Sequence, residues 1–332
     1  MSLPLPEFLL NPVSPRSLRF TAYVEAKASL DSRLDSYQPL SPEDDTTSFL
    51  RTFFKYLPLE GQIHLVEDVS QCSHSDQLAE LATGIDVELL RPLLIMGGAQ
   101  EDPESTMEHR IAQSCLRRDG RLCILTKTPA RRPGISLRSA NLQFAYIIPR
   151  PMGVSRDDDG DKRIMSALWF RLFRYFPALH VDLGMSPELV NQEINVMVLN
   201  PAFKGPFETF CLTLEATSVP DQYHIKTFPR TTALYDALLP QNRFLTLAQH
   251  DERVPLPCAA LLSFHAAIAN ILHESGRDVR TIELLRAARK FRIMAEDGSS
   301  NIGEMLPVYI LLLMASGGRN KRPPNILLED GD

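Results

Sequence analysis

In "TSFLRTFFKYL" the apolar residues Phe49, Leu50, Phe53, Phe54 and Leu57 recur at i, i+3 and i+4. That spacing predicts a helix burying one face. "SDQLAELATG" opens on a good N-cap and stops at Gly84, and another helix pair is expected around residues 87–96. The pattern then shortens. "RLCILTKT" and "LQFAYII" are brief β-branched or aromatic runs on either side of "PARRPGISLRSAN", which predicts a long-looped hairpin. "PRPMGVSRDDDGDKR" has a loop's composition, "IMSALWFRLFRYF" is amphipathic, and "INVMVLNPAF" predicts one more short strand. Helical spacing returns in "PCAALLSFHAAIANILHESG", "RTIELLRAARKFRIM" and "EMLPVYILLLMAS", and "GGRNKRPPNILLEDGD" has a tail's composition.

The expected fold class is therefore α+β, mostly α, with short strands confined to the middle. Residues 1–105 are expected to form an N-terminal helical region ending in the turn-rich stretch 100–105. Residues 106–230 form the strand-bearing region, 231–316 a C-terminal helical region and 317–332 a flexible tail.

A chain of 332 residues with 44% hydrophobic content can bury a substantial core in one elaborated domain or two smaller ones. Its formal charge of −6 argues against a polyanion partner, so no nucleic acid is expected. The local exception is 117–132, with six basic residues and one acid, read as a solvated face. The proline-broken start "MSLPLPEFLLNPVSPRS" is not a signal peptide by pattern. The longest apolar run, "MLPVYILLLMAS", falls short of the about 20 residues that span a bilayer, so a soluble protein is expected. Five widely spaced cysteines without a C-x-x-C exclude a disulfide framework and a zinc knuckle, and point to the reducing cytoplasm.

Five segments in order, "RRDGRLCILTK", "FAYIIP", "WFRLFRYFP", "NVMVLNPAFKGPFE" and "FHAAIANILHESG", resemble fungal HNH-endonuclease-like proteins over residues ~40–300. The family's corresponding text is R-D-G-x-x-C-x-x-T-G, A-H-I-I-P, W-x-x-L-x-x-F, N-G-I-x-L-x-P-x-L-H-x-x-F-D and L-H-A-A. The resemblance implies a ββα unit gripping one divalent cation, with a histidine base, an orienting asparagine and a histidine ligand. Here those positions fall on Tyr146, Asn195 and Lys204, with Glu208 at the motif's final Asp and Val196 at its glycine. A phenol with a pKa near ~10 is a donor and a poor base at neutral pH. An ammonium group has no lone pair for a metal. The expected site is degenerate: no metal, no cofactor and no DNA cleavage.

Degenerate members of this family resemble norbornene-forming Diels–Alderases of fungal terpenoid pathways. The resemblance implies a cofactor-independent intramolecular cycloaddition on a small terpenoid substrate. Tyr146, Lys204 and Asn195 are then the catalytic candidates, and Trp169, Phe144, Phe203, Phe207, Arg150 and His224 the substrate-binding ones. Alternative readings are a catalytically inactive nucleic-acid-binding module and a purely structural or regulatory protein. At single positions the alternatives are a turn-capping Asn195, a core-packing Tyr146 and a solvated Lys204. His265 and His273, at i and i+8 on one helix, are read as packing or capping residues, and His224 as an interior hydrogen-bonding residue.

Overall fold

The computed structural model describes residues 15–99, 109–130, 141–154, 156–229, 237–290 and 302–315. The first fourteen residues, the boundary at 100–105, Arg131 and Arg132 with most of their connector, and the tail at 317–332 lie outside the described residues. The architecture is α+β and mostly α. It divides into two compact units, Met1–Thr83 with Arg174–Phe176, and Gly84–Phe173 with Pro177–Asp332.

In the first unit, α1 (Pro15–Asp35) and α2 (Thr46–Tyr56) pack on α3 (Leu59–Gln71), followed by α4 (Ser75–Ile85). The predicted stripe of α2 is buried throughout: Phe49, Leu50, Phe53, Phe54 and the following Leu57. Tyr175 meets Phe53 edge-on with ring centroids 5.0 Å apart, and its hydroxyl donates to Asp68 Oδ2 at 2.9 Å.

The second unit holds a ββα element. Strand β1 (Gln143–Tyr146) pairs antiparallel with β2 (Val196–Leu199), in a register running from Gln143↔Leu199 to Tyr146↔Val196. All four β2 residues are buried, so both faces are covered and the strand reads as a continuous apolar run instead of an alternation. The eight-residue helix Pro201–Glu208, here α9, follows at once. Asn200 caps it by accepting from Ala202 N at 3.0 Å, and Pro201 occupies a position where its missing N–H costs nothing.

Around this element lie α5 (Arg91–Gly97), α6 (His109–Arg118), α7 (Asp159–Tyr175) and α8 (Ala178–Val181). A second antiparallel sheet, β3 (Leu212–Ala216), β4 (Gln222–Thr227) and β5 (Phe244–Thr246), supports α10 (Ala259–Glu274), which packs on β3. Helices α11 (Arg277–Lys290) and α12 (Ile302–Ala315) pack together, and α12 also packs on α5.

One expectation is corrected. "RLCILTKT" does not form a strand hairpinned to β1; it is a compact turn with a single bridge, Leu122↔Pro129. Positive φ at Arg121 (58°) and Lys127 (55°) breaks the extension that a strand needs. Cys123 O accepts from Lys127 N at 2.9 Å and closes the turn. The true partner of β1 lies about fifty residues along the chain.

Candidate functional site

Two side-chain pairs lie beside β1, Lys204 with Glu208 and Tyr146 with Asn191. The Lys204 ammonium donates to Phe144 O at 2.9 Å and to Glu208 Oε1 at 2.7 Å, one helical turn along α9. The same Glu208 oxygen accepts from Tyr146 N at 3.2 Å. Both charged side chains are mostly buried, so the pair is felt more strongly than a surface one. Tyr146 is 3% exposed, and its hydroxyl donates to Asn191 Oδ1 over a long 3.3 Å.

Asn195 is fully buried just before β2. Its Oδ1 accepts from Ile148 N at 2.8 Å, while Nδ2 donates to Ile148 O at 3.0 Å and to Val190 O at 2.9 Å. It therefore ties the chain leaving β1 to the loop entering β2. Its amide is a positioning device, with donors and acceptor spent on the backbone.

These residues do not fit a divalent cation. Lys204 brings no lone pair, and the Glu208 carboxylate beside it already holds that ammonium. Among the described residues, no three His, Cys, Asp or Glu side chains gather in a metal-binding group.

The other predicted residues are dispersed. Phe144 contributes its carbonyl to Lys204 and is half-buried. Phe203 and Phe207 are wholly buried on α9. Trp169 on α7 is buried against Phe173 with ring centroids 5.2 Å apart, and its Nε1 has no hydrogen-bond partner among the described residues. Arg150 opens the short turn Arg150–Gly153 after β1. His224 sits apart, on β4 of the second sheet, opposite Glu215 and edge-on to Phe244.

The helix α10 histidines are interior groups. His265 stacks between Phe207 and Phe210, with centroids 4.1 and 4.6 Å away. Since a carbonyl only accepts, Nε2–H donates to Phe207 O at 3.0 Å, leaving Nδ1 to accept from the Thr213 hydroxyl at 3.0 Å. Burial pushes its pKa down to about 3, so it stays neutral. His273 is the opposite case: burial opposes its charge, but the hydrogen bond to Asp278 and contact with Cys211 outweigh that and raise its pKa.

The other edge of β2 carries chemistry that the charge pattern hid. Arg118, read from sequence as part of a solvated face, is 0% exposed. Its Nε and one terminal nitrogen grip the two Asp119 oxygens at 2.6 and 2.9 Å. The guanidinium also donates to Val196 O at 2.7 Å, Glu193 O at 2.7 Å and Pro255 O at 3.2 Å. Asp119 in turn accepts from Val198 N, and Ile124 N donates to Val198 O at 2.9 Å. An ion pair and one turn thus satisfy a strand edge that would otherwise be unpaired.

Beside this pair is a cavity of about 120 Å³, with Asp119 and Lys127 at its wall and a floor of leucine and isoleucine. It shares His250 with a shallower cleft of about 620 Å³ lined by Arg117, Arg121 and Arg253 with Asp251 and Glu252. Sequence reasoning missed this pocket. One signal was present: Lys127 stands where the R-D-G-x-x-C-x-x-T-G pattern has glycine, and its backbone keeps the left-handed φ that favours glycine.

Compared with family models, curated proteins and solved structures, the chain matches none of them.

Proposed function

We propose that this chain is a cofactor-independent cyclase of small terpenoid substrates, built on a degenerate HNH-type ββα unit. In this reading it resembles the norbornene-forming Diels–Alderase of sordarin biosynthesis. One observation carries the proposal: a lysine ammonium, paired with Glu208 and bonded to Phe144 O, stands where an HNH centre would need a metal ligand. On this reading the ββα unit offers neither an imidazole base at Tyr146 nor a metal ligand at Lys204.

An intramolecular [4+2] cycloaddition needs neither. Three π bonds become two σ bonds and one π bond, with no atom or electron lost. The protein's contribution is to hold diene over dienophile and to aim a donor at the dienophile carbonyl, whose oxygen gains charge in the transition state. Tyr146 is the candidate donor, because a phenol donates a hydrogen bond at neutral pH; its hydroxyl now reaches Asn191 Oδ1 at 3.3 Å. Lys204, held by Glu208 and by Phe144 O, ties α9 to the strand that carries Tyr146. Five free cysteines suit a reducing compartment, and we place the protein in the cytoplasm.

The alternative of an inactive nucleic-acid-binding module draws on the arginine cleft. That cleft is largely neutralised: Asp251 holds Arg253 at 2.9 Å and Arg117 at 3.4 Å. The negative net charge also opposes it.

Kinetics of Tyr146→Phe and Lys204→Met on a linked diene–enal test the assignment. Loss of a transition-state donor lowers kcat by up to ~100-fold with KM little changed. If both variants keep wild-type rate and product ratio, this cluster is not the active site.

A further inference from the structure

The cavity beside Asp119 is out of charge balance. Asp119 is already paired through both oxygens with Arg118 and accepts a third bond from Val198 N. Lys127, on the same wall, has no hydrogen bond and no ion pair among the described residues. Partial burial holds its pKa below the usual lysine range, with the charges of Asp119 and Cys123 pulling the other way. A cation therefore faces an apolar floor of Leu122, Ile124, Leu247 and Leu256, and among the described residues the only acid lining the cavity is Asp119, already paired with Arg118. The turn also pins it there, at a left-handed φ of 55° that a glycine would adopt without strain.

We propose that this cavity binds the carboxylate end of a small apolar organic acid, with Lys127 as its counter-ion. The class follows from the lining. One uncompensated positive charge calls for a monoanion, since a phosphoryl dianion would leave a second charge unpaired. The apolar floor selects hydrocarbon next to the acid group. A volume of about 120 Å³ equals the space of roughly four waters, enough for a carboxylate and a few attached carbons. The rest of the ligand leaves past His250 into the outer cleft, where Arg121, whose guanidinium has no partner among the described residues, attracts anions to the entrance. The proposal stands apart from the cycloaddition reading and needs no turnover to be tested.

The test is a titration of full-length protein carrying labelled isoleucine methyl groups, with cyclohexanecarboxylate as probe and cyclohexanecarboxamide and inorganic phosphate as controls. The Ile124 methyl signal is expected to shift saturably with the acid, and much less with the amide or phosphate. A hydrogen bond to a charged group supports a weakening of about 10-fold or more in Lys127→Met, whereas Lys127→Arg should stay within about 3-fold. Unchanged Trp169 fluorescence in both variants would establish that they fold. Equal binding of acid and amide, wild-type affinity in Lys127→Met, preference for phosphate, or no saturable shift of Ile124 would each overturn the proposal.

Discussion

Replacing Asn195 by alanine should be among the most damaging single changes in the second unit. The substitution strips the partner from Ile148 N, Ile148 O and Val190 O, and Ile148, Val190 and Asn195 are all 0% exposed. Each buried polar group left unpaired costs about 1–3 kcal/mol. With three groups and some relaxation of the loop, the total is about 3–6 kcal/mol, a large part of the ~5–15 kcal/mol that stabilises an ordinary domain. Asn195→Asp is the sharper companion. At neutral pH its carboxylate still accepts from Ile148 N but faces two carbonyl oxygens with no proton to offer, so it should be nearly as unstable as the alanine variant. Protonation restores one donor, so its deficit should shrink as pH falls. The lone tryptophan, Trp169, is buried in the same unit, and its fluorescence in urea follows that unit's unfolding. A loss below about 1 kcal/mol for Asn195→Ala, at unchanged m, would refute the view that this amide braces the ββα element.

Two further predictions concern groups around α9. His265 titrates at about 3 in the folded state against an ordinary value of 6.5, so the unfolded chain takes up the proton first. Its contribution is complete above about pH 6.5 and declines as pH falls from there towards 3. Urea midpoints of His265→Gln should therefore fall less steeply than wild type across that window; parallel curves would contradict the assignment. Gly97 on α5 lies so close to the end of α9 that a Cβ would sit 2.0 Å from Glu208 O. Because that atom is backbone, Gly97→Ala should cost about 1–3 kcal/mol, and an unchanged melting temperature would show the approach to be loose.

Local periodicity made the helices legible. Phe49, Leu50, Phe53, Phe54 and Leu57 declared the buried face of α2, and "PCAALLSFHAAIANILHESG" declared α10. Strand pairing was not legible in the same way. Periodicity says where a strand is, never which strand lies beside it, and β2 is buried on both faces, so its pattern carries no alternation to align. "RLCILTKT" has a strand's composition, but its positive φ at Arg121 and Lys127 makes it a turn. Lys204 reaches β1 at Phe144 O and Asn195 brackets the chain just after it at Ile148, whereas His224 lies on another sheet, a placement no local pattern announces. The Asp119–Lys127 cavity was hidden because the segment that closes it, with Leu247, His250 and Leu256, comes more than a hundred residues later. A run of arginines looks solvated until the fold buries Arg118 under a strand edge.

The central proposal is cyclisation without metal, with Lys204 at the position where the resemblance implies a metal ligand. Its most direct test is a single time course: purified protein with a substrate bearing a tethered cyclopentadiene and enal, in excess EDTA, beside buffer and heat-denatured protein. The account predicts a faster reaction and one dominant bicyclic diastereomer with native protein alone, unchanged by chelator or added Mg²⁺. A rate and product ratio equal to those in buffer, or a reaction abolished by EDTA, would contradict it.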